Sequence, residues 1–207
     1  DLSFTYDISY NRRFKKKGRS FFGNNSLMIG DVENDQYNDV ENIFYTGQTT
    51  ITTLNQNRQK RVDNLRSHTQ LNFTEPINKS LSLRFSNTFI YSKDNDNLLT
   101  YDLDPSSGKY EVLNDGLSNG LKRTSVKNTG SVILNWTRKK FTVSPGINLY
   151  TFHIKNDYQK NTDIIQNYNY FFPSFNLTYN GFNLGYRANI NEPSAYNLQP
   201  VVDNTNP

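Results

Sequence analysis

Apolar and polar residues alternate with a period of two along the first stretch of the chain. The apolar set is Leu2, Phe4, Tyr6, Ile8, Tyr10 and Phe14, and the polar set is Ser3, Thr5, Asp7, Ser9, Asn11 and Arg13. Because successive side chains of a β-strand point to opposite faces, this pattern predicts a strand with one apolar face. Seven later segments repeat the alternation, some of them weakly. The eight predicted strands cover residues 2–14, 20–30, 65–75, 81–91, 126–137, 141–154, 168–179 and 182–190.

The connectors between these segments are alternately short and long. The short ones are 15–18, 76–79, 138–140 and 180–181, and the long ones are 34–63, 93–125 and 155–166. In a transmembrane β-barrel, tight turns lie on one side of the membrane and long loops on the other. Strands of about 9–11 residues cross the bilayer at a tilt. The pattern therefore predicts an all-β, antiparallel transmembrane β-barrel segment of about eight strands.

Three details of this arrangement follow from local sequence. Asn180-Gly181 predicts a type I′ hairpin turn, whose two central residues both need positive φ. The β-prone island 43–54, inside the first long connector, predicts a hairpin that extends beyond the membrane. The change of apolar face near Leu149 and Tyr150 predicts a β-bulge or a departure from the membrane.

Aromatic residues bracket three of the short turns. The pairs are Phe14 and Phe21, Trp136 and Phe141, and Tyr179 and Phe182. Outer-membrane barrels carry aromatic girdles at this level. Cross-strand pairs in a soluble hairpin also favour aromatic residues, so the girdle is one of two interpretations.

The composition favours a barrel with a wet interior over a soluble sandwich. Only 34% of the 207 residues are apolar, and the mean hydropathy is -0.78. Such a chain is usually disordered, yet 14 Tyr and 14 Phe favour strands. A large barrel reconciles these facts, because only a band on its outer face has to be apolar.

Several functional classes receive no support from the residues. The chain has no cysteine, no apolar run long enough for a transmembrane helix, no phosphate loop and no nucleophile elbow. The stretch 94–97 has calcium-ligand residue types, but Leu98 takes the next ligand position and the required glycine is missing. The net charge is only +4, and the basic residues cluster at a turn (12–19) and a loop (58–61), which argues against a nucleic-acid-binding face.

The tail of the chain carries several short motifs, namely Tyr186 to Ile190, Glu192-Pro193-Ser194, Leu198-Gln199-Pro200, Val201-Val202-Asp203 and Asn206-Pro207. Their order resembles that of TonB-dependent outer-membrane receptors of Bacteroidetes. Glu192 stands where a basic residue is frequent in that family. The turn 14–19 and the segment 168–177 are similar to periplasmic turn and strand segments of the same family. The likeness spans essentially the whole chain, which corresponds to part of the barrel alone.

The resemblance implies nutrient uptake across the outer membrane, without covalent chemistry and without a cofactor. The implied substrates are siderophores, vitamins, peptides or glycans, and the implied partners are lipid, lipopolysaccharide, the protein's own plug domain and TonB. Transporter barrels of this kind have about 22 strands and a plugged lumen, so eight strands make roughly a third of the wall. Residues 1–207 are then a partial barrel domain, with the plug domain and the remaining strands outside them.

In such a barrel, the polar strand faces line the lumen. The charged or titratable residues expected there are Asp7, Arg13, His68, Arg84 and Arg187. An arginine that faces lipid at mid-bilayer costs about 2–4 kcal/mol, so we expect Arg84 and Arg187 to point inward. The residues expected on the lipid side are Phe4, Tyr6, Ile8, Leu83, Phe85, Leu184 and Tyr186.

Two other hypotheses remain open from the sequence. One is a complete eight-stranded barrel with an anchoring or adhesion role, since eight strands can close. The other is a soluble all-β carbohydrate-binding module, in which exposed tyrosines stack on sugars. A wall segment predicts an open sheet whose first and last strands have no partner, whereas a small barrel predicts that they pair with each other.

Overall fold

A computed structural model describes residues 2–159 and 163–190 of the chain. These residues form one sheet of nine antiparallel strands and contain no helix. Accordingly, no helix in the described ranges is long and apolar enough to cross a membrane. The strands are β1 (Leu2–Arg13), β2 (Ser20–Thr46), β3 (Gln48–Pro76), β4 (Leu81–Asp104), β5 (Lys109–Leu113), β6 (Asn119–Arg138), β7 (Phe141–Tyr158), β8 (Ile164–Tyr179) and β9 (Phe182–Arg187).

Apart from β5, each strand pairs with the next strand along the chain. The order across the sheet is β1-β2-β3-β4-β6-β7-β8-β9, and the short β5 pairs with β4. This path contains the eight predicted strands, and β5 is an addition to them. Within the described residues, β1 and β9 lie at opposite edges, so the sheet is open. The predicted all-β, antiparallel, open barrel segment is confirmed, and a closed eight-stranded barrel is not what these residues form.

The short turns have the predicted backbone chemistry. Asn180 and Gly181 have φ of 45° and 90°, as a type I′ turn requires. Gly18 and Lys139 also have positive φ, at 87° and 54°. These turns reverse the chain within a few residues, because glycine and asparagine tolerate left-handed backbone that other residues adopt at a cost.

The prediction of long loops was wrong, because most of those residues continue the strands. β2, β3 and β4 have 27, 29 and 24 residues, more than twice the length that crosses a bilayer. The pairing of β2 with β3 runs without interruption to a turn at Gly47. Cross-strand backbone hydrogen bonds hold these largely polar extensions in strand conformation, and the few apolar side chains buried there include Leu98 and Leu121. The extended hairpin foreseen from the island 43–54 is therefore present.

Two predictions at the end of the chain also changed. The register between β7 and β8 is regular from Phe141 to Asn156, so the bulge predicted near Leu149 and Tyr150 does not occur. β9 ends at Arg187 rather than at Ile190. The tail motifs from Glu192 onward lie outside the described residues.

Candidate functional site: the polar face of the sheet

The strand register assigns each strand residue to one of two faces. Residues directly opposite each other on neighbouring antiparallel strands project from the same face. Phe85 of β4, for example, lies opposite Phe73 of β3 and Val132 of β6, and Val132 lies opposite Ile147 of β7. We use the term polar face for the odd-numbered residues of β1, β6 and β9 and the even-numbered residues of β2, β3, β4, β7 and β8. The opposite side is the apolar face.

The predicted division of residues between two faces is confirmed by the register. Phe4, Tyr6, Ile8, Leu83, Phe85, Leu184 and Tyr186 all belong to the apolar face. Thr5, Asp7, Arg84, Ser86 and Arg187 all belong to the polar face. Most of the large apolar side chains that remain exposed lie on the apolar face, as in a wall that meets lipid. Buried strand side chains, except Asn57, lie on the polar face, as expected for the concave side of a curved sheet.

Aromatic rings gather on the apolar face beside the short turns. Phe14 contacts Phe73 edge-on, with ring centroids 6.3 Å apart. Phe141 lies 5.7 Å from Trp136 and 6.1 Å from Tyr179, so three neighbouring strands contribute to one aromatic row. This is the geometry of an interfacial girdle.

An ion cluster links the first short turn to the end of β3. The Arg19 guanidinium donates to both oxygens of Glu75, at 2.6 and 2.8 Å, and Lys16 Nζ donates to one of them at 2.6 Å. Hydrogen bonds from Arg19, reinforced by those from Lys16, lower the pKa of Glu75 from 4.5 to about 2. This cluster ties adjacent hairpins together at the short-turn end.

The five residues predicted to face the lumen all lie on the polar face, but they do not form one site. Arg13, Arg84 and Arg187 belong to one row that crosses the sheet from β1 to β9. With strands about 4.8 Å apart, Arg13 and Arg84 are separated by roughly 15 Å of backbone. Asp7 and His68 share a second row, two strands apart.

Sequence reasoning missed a compact basic cluster on the polar face, which we define as Arg66, Asp94, Arg123 and Lys127. Asp94 of β4 lies opposite Arg123 of β6 and interacts electrostatically with Arg123, Arg66 and Lys127. Arg123 is 5% exposed. Three cations surround one carboxylate, so the cluster carries a net charge of +2. It was missed because 93–125 was interpreted as a loop, which has no defined face.

An aromatic patch on the same face was missed as well, and we define it as Tyr150, Phe152, Tyr168, Tyr170 and Phe172. The residues of β8 form a ladder of nearly parallel rings, with Tyr170 lying 5.9 Å from Tyr168 and 6.1 Å from Phe172. Tyr150 of β7 contacts Phe172 at 5.9 Å and Phe152 at 6.4 Å. The patch was missed because a bulge was predicted near Leu149 and Tyr150, which left the face of these residues undefined. The aromatic run 168–172 could have indicated it.

The charge of the polar face is strongly unbalanced. The imbalance concerns the part of the polar face between the short turns and the row that contains Asp94 and Arg123. Among the described residues in this region, the cations are Arg13, Arg66, Arg84, Arg123, Lys127 and Arg187, and the carboxylates are Asp7 and Asp94. Six cations against two carboxylates give an excess of +4, apart from His68. A surface with one dominant sign of charge attracts ligands of the opposite sign.

The connection from β5 to β6 folds over the polar face at the outer end of β4. Thr100, which is fully buried, donates from Oγ1 to the Leu117 carbonyl at 3.0 Å and from its backbone N–H to Ser118 Oγ at 2.9 Å. Asn114 Nδ2 donates to Asp102 at 2.8 Å. This folded segment partly covers the polar face beyond the basic cluster.

The described residues offer no metal site. No group of three or more potential metal-ligating side chains is found among them. Residues 94–97, which have calcium-ligand residue types, lie within β4 and alternate between the two faces, so they do not form a coordinating loop.

Comparison with known proteins supports the barrel architecture. Residues 12–207 match the outer membrane protein beta-barrel family. The fold is similar to that of the ferric citrate transporter FecA in its unliganded form, with a TM-score of 0.56 at 12% identity. That similarity covers 88% of this chain and 26% of the FecA chain, so the chain spans about a quarter of its solved relative. A comparison with curated protein sequences finds no match. The two-faced open sheet, its girdle and the match over nearly the whole chain lead to one conclusion: this outer-membrane chain belongs to the outer membrane protein beta-barrel family.

Proposed function

We propose that the chain is a wall segment of a TonB-dependent receptor of the Bacteroidetes type. The receptor takes up a scarce nutrient of the siderophore, vitamin, peptide or glycan class across the outer membrane. The polar face lines the lumen, where Asp7, Arg13, His68, Arg84 and Arg187 meet the plug domain or the passing substrate. Lipid and lipopolysaccharide contact the apolar face.

The single observation that carries this proposal is the open path of eight consecutively paired strands, divided into an apolar and a cationic polar face. A small closed barrel would pair its first and last strands, whereas a wall segment leaves both edges for further strands. The fold similarity to FecA supports a large transporter barrel. A soluble carbohydrate-binding module would not expose an apolar face of this extent, because soluble proteins rarely leave large contiguous apolar surfaces uncovered. The proposed function is transport of a substrate, without the making or breaking of covalent bonds.

A growth experiment tests the proposal. A strain lacking the gene is compared with its parent on limiting iron(III) complexes, cobalamin, oligopeptides or oligosaccharides, each supplied as the sole source of one nutrient. We expect a growth defect on one class of nutrient, restored by the intact gene. The same defect is expected in the parent when TonB is removed, because outer-membrane uptake of this kind draws its energy from that complex.

The controls separate transport from a structural role. Loss of barrier function is monitored by sensitivity to detergent, which a missing transporter leaves unchanged. Equal growth of the two strains on every nutrient, or uptake that persists without TonB, would contradict the proposal. A defect in surface attachment alone would instead support an adhesion protein.

A further inference from the structure

The aromatic patch lies on the face where a membrane barrel ordinarily carries polar residues. Its five rings belong to two neighbouring strands, and Tyr168 and Tyr170 remain 37% and 38% exposed. Contiguous exposed apolar surface on a protein usually marks a binding site. The patch is therefore a candidate contact surface for a ligand.

The geometry of the patch suits flat or apolar ring systems. The planes of Tyr168 and Tyr170 differ by 15°, and those of Tyr170 and Phe172 differ by 11°. Parallel rings repeated along a strand present a continuous aromatic strip to any ligand that moves along the wall. Aromatic contacts of this kind favour offset-stacked or edge-on partners.

The basic cluster adjoins this strip. Lys127 of β6 lies directly opposite Phe152 of β7, which lies directly opposite Tyr168 of β8. Backbones of adjacent strands are about 4.8 Å apart, so Lys127 and Tyr168 are separated by only about 10 Å. Arg123, four residues farther out on β6, and Arg66 on β3 add positive charge at a greater distance from the rings. Ligand sites commonly combine an aromatic lining with a few placed charged groups.

We propose that Lys127 and the rings of Tyr168 and Tyr170 form a binding site for an anionic small molecule that carries a planar ring. The inference rests on the proposed function, because it places this site on the lumen wall of a transporter. Charge complementarity selects the anion, since the cluster has three cations and one carboxylate. The aromatic strip favours a ligand with a planar ring, which can stack on the tyrosines. Both features lie near the outer end of the predicted membrane crossing.

The test uses three probes of similar size. 2-Naphthoate has both charge and planar rings, 2-naphthamide has the rings without the charge, and decahydronaphthalene-2-carboxylate has the charge without planarity. Binding is measured by equilibrium dialysis on the intact protein in lipid nanodiscs, with protein-free nanodiscs as the blank. We expect 2-naphthoate to bind at least about tenfold more tightly than either other probe, because it alone uses both parts of the site.

Matched variants separate the two parts of the site. Lys127→Gln should weaken 2-naphthoate by about tenfold and leave 2-naphthamide unchanged. Tyr170→Leu should weaken both naphthalene probes by about three- to tenfold and leave the saturated acid unchanged. The controls are Lys122→Gln on β6 and Phe171→Leu on β8, which replace a lysine and an aromatic residue on the apolar face. Neither control should change the binding of any probe.

Several outcomes would overturn this inference. Equal affinities for the three probes, or equal losses in the polar-face and apolar-face variants, would show non-specific partition. If binding appears only after the plug domain is removed, the occupant of the patch is the plug and not a small molecule. These outcomes are distinct from failure of the proposed function, because the growth experiment can succeed while no probe binds selectively.

Discussion

Glu75 illustrates how single residues stabilise the short-turn side of the sheet. Its two oxygens accept hydrogen bonds from Arg19 and Lys16, which belong to the turn between β1 and β2. Glu75 itself lies near the end of β3, so the contact joins two hairpins that the backbone does not connect at this point. A bidentate arginine–carboxylate pair has defined geometry, which distinguishes it from an ordinary surface ion pair.

The lowered pKa of Glu75 makes this contact sensitive to acid. Because the folded pKa of about 2 lies below the ordinary 4.5, Glu75 stabilises the fold above pH 4.5 and loses that contribution as the pH falls toward 2. We expect Glu75→Gln to lower the urea midpoint at neutral pH. The difference from wild type should shrink between pH 4.5 and pH 2. Urea unfolding of the protein in lipid vesicles at several pH values measures it.

A matched variant controls for the loss of a carboxylate. Glu41→Gln removes an exposed carboxylate from the β2–β3 extension, far from the short turns. It should leave the midpoint nearly unchanged at every pH. A constant difference between wild type and Glu75→Gln from neutral pH to pH 2 would show that the ion cluster does not titrate as described.

At the scale of the element, each membrane-crossing strand carries two surfaces of opposite chemistry. Adjacent residues on one strand therefore face different surroundings, and their substitutions should differ in cost. Phe85 and Ser86 of β4 form such a pair, with Phe85 on the apolar face and Ser86 on the polar face. Tight turns and regular register keep this division constant from β1 to β9.

The same substitution at these two positions tests the division. Phe85→Arg should destabilise the protein by about 2–4 kcal/mol, because it places a guanidinium against hydrocarbon. Ser86→Arg places the same group on the polar face, beside the existing Arg84, and should cost less than about 1 kcal/mol. Unfolding free energies in vesicles measure both changes. Similar costs at the two positions would contradict the assignment of the apolar face to lipid.

At the scale of the whole molecule, the described sheet has two open edges. The outer edges of β1 and β9 have no partner strand within the described residues. Unpaired backbone groups are not tolerated in hydrocarbon, and in water an exposed edge promotes aggregation. We therefore expect the sheet to be stable only as part of a longer barrel wall, as the proposed function requires.

Expression of residues 1–207 alone tests this dependence. We expect the isolated segment to aggregate, or to remain unfolded in detergent. Electrophoresis of heated and unheated samples checks this, since folded outer-membrane barrels migrate differently before and after heating. A heat-resistant monomer would contradict the prediction and favour a self-contained small barrel.

Local sequence determined the eight strands of the main path and, where the alternation is strong, the face that their residues occupy. Side-chain direction alternates along any extended chain, so Phe4, Arg84 and Leu184 could be assigned to a face without knowledge of their neighbours. The type I′ turn at Asn180 and Gly181 likewise follows from these two residues alone.

Tertiary structure alone decided how far the strands continue and which side chains meet. The extensions beyond the membrane are polar, and their strand conformation comes from backbone hydrogen bonds with a partner strand, which no single segment encodes. The basic cluster combines Arg66, Asp94 and Arg123 from three different strands. Its existence depends on cross-strand register, and a shift of one residue would send each of these side chains to the opposite face.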